Sequence, residues 1–310
     1  MRRLVRETRL SKDDFVQPFF VTEGKNRKEP IPSMPGIYRY STDLLLKALE
    51  RYQKAGGYAG LFFGVPAKKD LKGSQAYSGS GVVQKALRAI KKNFPDFVAI
   101  TDICMCSYTS HGHCGIVKNG YVDNDETISV LGKIAVSHAE AGADVVAPSD
   151  MMDFRVGRIR QALDKNKFIN TVILSYAVKY ASAFYGPFRD AADSAPHFGD
   201  RKSYQMNPAN SREALKEAKK DLEEGADLIM VKPALSYLDI ISLLKKQLSV
   251  PIVAYSVSGE YSMIKAAAAR HWINEKDIVL ESATAMKRAG ADIIISYHAE
   301  DILKWLSESR

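Results

Sequence analysis

The 310-residue sequence is poor in the features that mark membrane, secreted or nucleic-acid-binding chains. No apolar run approaches the roughly 20 residues that a spanning helix needs. The opening Met1-Arg2-Arg3-Leu4-Val5-Arg6-Glu7 lacks the apolar core of a secretory signal. No membrane partner and a cytoplasmic location are therefore expected. Cysteine is scarce: Cys104, Cys106 and Cys114 are the only three, packed within eleven residues. An odd, tight cluster is a poor disulfide framework, and in a reducing compartment metal binding is the better reading. The formal charge of +8 comes without a dense basic run, a zinc finger or an RNA-binding aromatic signature. Bases and acids alternate instead, as in Lys216-Glu217-Ala218-Lys219-Lys220-Asp221. That pattern describes a solvated surface, with local basic clusters able to receive anionic substrates, and no nucleic-acid partner. Gly-rich dinucleotide and phosphate-loop fingerprints are missing as well.

What is present is an internal echo. Ala141-Gly142-Ala143-Asp144 precedes Val145-Val146-Ala147, Gly225-Ala226-Asp227 precedes Leu228-Ile229-Met230-Val231, and Ala289-Gly290-Ala291-Asp292 precedes Ile293-Ile294-Ile295. A looser copy, Ala55-Gly56-Gly57-Tyr58-Ala59-Gly60, precedes Leu61-Phe62-Phe63. Glycine ends a helix by taking up the left-handed cap conformation. The short apolar run that follows suits a strand buried on both faces of a parallel sheet. Further strands are expected at 15–21, 97–103, 171–178 and 252–257. With the four echoed runs these make eight strands alternating with helical stretches, which predicts a (β/α)8 TIM barrel as a single domain over 1–310. An open doubly wound sheet is the alternative.

Barrel chemistry gathers at the C-terminal ends of the strands. Two lysines stand there: Lys179 closes Thr171-Val172-Ile173-Leu174-Ser175-Tyr176-Ala177-Val178, and Lys232 closes Leu228-Ile229-Met230-Val231 ahead of Pro233. Burial and a neighbouring ammonium both lower a lysine's pKa, and a neutral lysine attacks a ketone to form an imine. The bland alternative is that each lysine extends from its strand end into solvent. The cysteines follow another strand end, in Asp102-Ile103-Cys104-Met105-Cys106 and His111-Gly112-His113-Cys114. Three thiolates without a clear fourth ligand leave a position for water or substrate, as at a catalytic zinc. His111 and His113 are further candidates, as ligands, as supporting partners or as substrate contacts. After Lys179, about thirty residues pass before the helix at Arg212, longer than ordinary connections. Such a segment, 184–210, is read as an active-site lid, whose Arg189 and Arg201 can each grip a carboxylate.

These residues, with Ala147-Pro148-Ser149-Asp150-Met151-Met152-Asp153, Met230-Val231-Lys232-Pro233 and Val257-Ser258-Gly259-Glu260-Tyr261, resemble the porphobilinogen synthase (5-aminolevulinate dehydratase) family of the zinc-dependent type, in order and spacing. The resemblance runs from Arg3-Leu4-Val5-Arg6-Glu7 to Ile295-Ser296-Tyr297. It implies that two 5-aminolevulinate molecules condense to porphobilinogen with loss of two waters, early in tetrapyrrole (heme) biosynthesis. Lys232 would form the imine on the propionate side and Lys179 that on the acetate side. Arg189, Arg201 and Gln205 would bind the acetate-side carboxylate, and Ser258 and Tyr297 the propionate-side one. Zn2+ on Cys104, Cys106 and Cys114 would act beside Asp102 in an acid/base or orienting role. Ser203 stands where some members carry another cysteine, which argues against a second zinc there. Glu217 matches a ligand of an allosteric Mg2+ in many bacterial members. The family's N-terminal arm is usually longer than 1–12 here, so a homo-oligomer is expected, octameric as in the family or altered to a dimer or hexamer.

Two other readings are set against this one. A class I aldolase needs one barrel lysine but neither the second lysine nor the cysteines. A metal-binding assembly protein predicts zinc without any imine.

Overall fold

The apolar runs become eight strands: β1 (Phe15–Thr22), β2 (Ala59–Val65), β3 (Val98–Ile103), β4 (Val145–Pro148), β5 (Val172–Lys179), β6 (Leu228–Lys232), β7 (Ile252–Ser256) and β8 (Ile293–Ser296). The computed structural model describes Met1, Arg2 and residues 4–308. Arg3, where the quoted resemblance begins, and residues 309–310 of the expected domain lie outside the described residues. Each strand pairs in parallel with the next, and β8 returns to β1 through Phe15 against Ile294 and Val16 against Ile295. Closure removes both sheet edges, so the open-sheet alternative is excluded and the fold is a (β/α)8 barrel. A small hairpin, Ile116–Lys118 with Tyr121–Asp123, follows the cysteines. A short strand, Tyr38–Ser41, extends the sheet beside the end of β1.

The echoed sequence has a mechanical meaning. Gly56, Gly142, Gly225 and Gly290 all sit at φ between 102° and 120°, directly after helices Thr42–Lys54, Asn124–Glu140, Arg212–Glu223 and Glu275–Ala289 or their capping residues. The aspartates that follow three of them satisfy an amide in the first two residues of the neighbouring strand. Asp144 accepts from Ala99 N at 2.7 Å, Asp227 from Ile173 N at 2.8 Å and Asp292 from Ile252 N at 2.8 Å. One motif therefore stops a helix and ties the strand that follows it to the strand before the helix.

Alternation divides the apolar residues between two compartments. Phe20, Phe63, Tyr176, Met230, Val253, Tyr255 and Ile295 fill the barrel interior. Val21, Phe62, Ile229, Val231, Ala254 and Ile294 face the surrounding helices. One strand breaks the alternation: along β5, Ala177 and Val178 both face outward. The register slips at this point, with Ile229 opposite Ser175 but Val231 opposite Val178. The extra residue is a β-bulge, and it turns Lys179 back to the inner side.

The long connection after β5 carries secondary structure of its own. It contains a 3-10 turn, Ala183–Tyr185, and a short helix, Gly186–Ala191, with Pro187 in its first turn, where a missing N–H costs nothing.

Gly225→Ala is expected to lower unfolding free energy by roughly 1–3 kcal/mol, because its φ of 104° disfavours any side chain. A methyl there would also approach Arg160 Cγ to 3.2 Å. Urea denaturation of the variant showing no loss would overturn this account of the echo.

Candidate active site

Lys179 and Lys232 end adjacent strands and lie directly opposite one another in the ladder. Both are buried, with 6% and 4% of their surface exposed, so neither extends into solvent. The Lys179 ammonium donates to the carbonyl of Ser149. Lys232 Nζ is ringed by aromatics: 4.3 Å from the ring centre of Tyr255, 4.9 Å from Phe188, 5.1 Å from Tyr176 and 5.4 Å from Tyr185. Lys179 Nζ lies 5.7 Å from the same Tyr176 ring. Burial, then the charge of Lys179, pushes Lys232 down to about 7. The ring faces attract an ammonium and oppose this shift. Lys232 thus has an accessible neutral form near physiological pH, which is what attack on a carbonyl requires.

Asp102, at the end of β3, faces both lysines. Burial and the neighbouring Cys106 raise its carboxyl, while Ser149, Lys179 and Lys232 counter them. Its Oδ1 has no hydrogen-bond partner among the described residues. Cys104, Cys106 and Cys114 are buried free thiols whose sulfurs all lie within 4.8 Å of one another, with Cys104 Sγ 3.5 Å from Cys106 Sγ. Sulfurs on a tetrahedral zinc with bonds of about 2.3 Å stand about 3.8 Å apart, so this donor set fits the ion. The proton affinities divide accordingly. Hydrogen bonds from Cys104 and Cys114, aided by Arg201 and Lys179, hold Cys106 well below the ordinary thiol range. The same sharing pushes Cys104 up.

His111 and His113 do not complete the set. His113 Nδ1 is 3.1 Å from Tyr204 Oη and its Nε2 is 3.0 Å from the Phe198 carbonyl. His111 Nδ1 accepts from the amide of His113. Among the described residues, the cysteines form the only group of three or more such donors close enough to share an ion. Glu217 has no such group around it. It lies in an open groove with Asp153 and Glu213, its carboxyl raised by burial and then by Asp221, Asp153 and Glu213.

The segment beyond β5 brings a set of unpaired donors to the mouth. Arg201 Nη2 donates to the carbonyls of Gly112 and Ser194, yet its Nε finds no partner. Arg189 Nε and Gln205 Nε2 are also buried and unpaired among the described residues. No carboxylate ion-pairs with either arginine there. Burial and the Arg201 charge lower Arg189. Burial also works against the Arg201 charge, but Cys114 and Cys106 more than offset it. Buried donors without acceptors are costly, and a ligand carboxylate supplies what they lack. The structure brings the other two expected residues together differently. Tyr297 Oη is 3.0 Å from Tyr255 Oη, whereas Ser258 Oγ accepts from Phe188 N at 2.9 Å and donates to the Phe184 carbonyl.

Residues 1–305 match the family model described as delta-aminolevulinic acid dehydratase. The chain belongs to that family. The Bacillus subtilis delta-aminolevulinic acid dehydratase is 57% identical over 99% of this chain and 95% of its own length. The Methanothermus sociabilis delta-aminolevulinic acid dehydratase is 56% identical over 98% and 94%. A crystal structure of the Toxoplasma gondii ME49 enzyme with its reaction product porphobilinogen superposes with a TM-score of 0.98. It shares 44% identity and covers 100% of this chain and 89% of that one. The chain is accordingly a hydro-lyase of the dehydratase family.

Sequence reasoning alone did not single out Tyr176, Tyr185, Phe188, Tyr255 or Ser149 as site residues. Strand periodicity from Lys232 reaches Met230 on its own strand but not rings on neighbouring strands. For Tyr176 the bulge hides the relation, since three residues normally separate opposite faces.

The depressed Lys232 has a cost in stability. Between the unfolded value near 10.5 and the folded value near 7, the unfolded chain holds a proton that the folded chain refuses. Stability from this group therefore falls as pH drops through that window. Lys232→Met, similar in volume and uncharged, is expected to be more stable than the parent by about 2–4 kcal/mol at pH 8. The gain should shrink towards pH 10; urea melts showing a pH-independent difference would refute the shift.

Proposed function

We propose that the chain condenses two 5-aminolevulinate molecules to porphobilinogen with loss of two waters, using imines on Lys232 and Lys179. The observation that carries this is the buried lysine pair in direct register, with Lys232 depressed towards neutrality. In this reading the neutral Nζ of Lys232 attacks the ketone carbon of the propionate-side substrate. The resulting carbinolamine loses water to give the imine. Lys179 captures the acetate-side ketone in the same way, its Nζ steered by the Ser149 carbonyl. Asp102, with an unpaired oxygen between the lysines and the cysteines, moves or holds protons. Arg189, Arg201 and Gln205 receive the acetate-side carboxylate. Tyr297, with Ser258 once it is released from Phe188, receives the propionate-side one. Residues 184–210 act as the lid over both.

Cys104, Cys106 and Cys114 would hold a catalytic Zn2+, which polarises a bound oxygen when present. The support is the fit of their sulfur separations and burial. A magnesium site at Glu217 is supported only by the carboxylates of Asp221, Asp153 and Glu213, which add to burial in raising it, a repulsion a cation relieves. The three free, buried thiols suit a cytoplasmic location. A homo-oligomer is proposed from the family.

Incubation with 5-aminolevulinate, borohydride reduction and peptide mass spectrometry should place adducts at Lys232 and Lys179. A substrate-dependent adduct missing from Lys232 would sink the proposal. Replacing all three cysteines by alanine should abolish zinc binding and turnover while trapping at Lys232 persists. Full activity in that variant would remove the zinc assignment.

A further inference from the structure

Arg39 lies outside the ring of residues just described, yet it reaches the helix that carries one of them. It stands on Tyr38–Ser41, whose register with β1 places it opposite Phe20. Its Nε donates to the Ala191 carbonyl at 2.7 Å and its Nη2 to the Asp190 carbonyl. These are the last carbonyls of helix Gly186–Ala191; that of Asp190 also accepts from Asp193 N at 3.2 Å in the closing turn. A cation at that end also matches the helix dipole. Two further contacts hold the same end: Ser33 Oγ donates to Asp190 Oδ2, and Lys69 pairs with Asp193 at 2.6 Å. At the other end Phe188 N donates to Ser258 Oγ.

A six-residue helix does not hold its own position in water, so these contacts fix where it sits. The helix bears Phe188, in the Lys232 cage, and Arg189. Arg189 feels the like charge of Arg201, and neither has a carboxylate ion-pair partner among the described residues. Their like charges repel, so holding Arg189 beside Arg201 needs contacts made elsewhere on the helix.

We propose that Arg39 is a positioning residue: by tying down the C-terminal end of Gly186–Ala191, it holds Arg189 beside Arg201 in the geometry that captures the acetate-side carboxylate. The proposal rests on the functional reading above. Arg39 touches no substrate and acts through Arg189. Its loss therefore weakens capture of the acetate-side molecule most; imine formation at Lys232, which keeps the rings of Tyr255 and Tyr176 on barrel strands, is affected much less.

The test compares Arg39→Met and Arg39→Lys with the parent enzyme in turnover and in borohydride trapping across a 5-aminolevulinate titration. Losing charge-assisted hydrogen bonds of this kind should raise KM roughly 10- to 100-fold in R39M, with kcat within about threefold. The Lys179 adduct should shift to higher substrate by the same factor, while half-saturation of the Lys232 adduct moves by no more than about threefold. R39K, which keeps the charge and one donor, should recover part of the shift. Ser33→Ala should move KM in the same direction by a few-fold only and serves if R39M fails to fold. An R39M enzyme with unchanged KM, or one in which both adducts shift together, overturns the proposal. If the parent shows no adduct at either lysine, the functional reading fails instead. The latch is then judged by hydrogen exchange of 186–193, which R39M must accelerate if the helix depends on it.

Discussion

Two amines in one apolar mouth are the constraint around which the rest is organised. Lys179 and Lys232 sit side by side because their strands are adjacent and in register, and because one extra residue in β5 turns Lys179 inward. A regular β5 would turn Val178 inside and Lys179 outward, out of phase with Tyr176. The barrel makes this pairing rigid. Each strand is bonded on both sides, so the ends of β5 and β6 do not drift apart to relieve the repulsion. The repulsion is relieved by loss of a proton instead, and burial makes Lys232 the amine that gives it up.

Charge around the pair follows from that choice. Two lysines and two arginines face Asp102 and three sulfurs. The sulfurs cannot all be thiolates unaided, since Cys104 is pushed up by the hydrogen bonds that hold Cys106 down. With a divalent cation, three thiolates leave a net charge of about −1, which suits a site rich in fixed positive charge. Substrate carboxylates would supply the remaining anions. A metal on the thiolates, the lysine pair and carboxylate capture would be parts of one balance, in which altering one shifts the proton affinities of the others.

The fold was legible because its signals are local. Gly142, Gly225 and Gly290 stop helices, the aspartates after them pin neighbouring strands, and apolar runs between them fill both faces of a parallel sheet. Lys179, Lys232 and the cysteines were legible because strand ends of a barrel converge by topology alone. The aromatic cage was not, because Tyr176, Tyr185, Phe188 and Tyr255 come from three separate parts of the chain. The short helix Gly186–Ala191 was hidden for another reason: its stability comes from Arg39, Ser33 and Ser258, far away in sequence, and not from its own residues. Ser258 was named through family resemblance, and its present bond to Phe188 N belongs to that same long-range packing.

The atoms left without partners show where stability gives way to chemistry. Asp102 Oδ1, Tyr176 Oη, Arg189 Nε, Arg201 Nε and Gln205 Nε2, five of the twelve buried side-chain atoms without a partner among the described residues, lie at the same end of the barrel. In a protein interior each such group costs about 1–3 kcal/mol, and a fold under no other demand would replace it or bond it. Their concentration around two lysines means that the missing partners are ones the chain does not itself contain. A molecule bearing a carboxylate to meet the arginines and a ketone to meet the amines would satisfy them together. The polar atoms that the fold leaves open thus describe the substrate in negative.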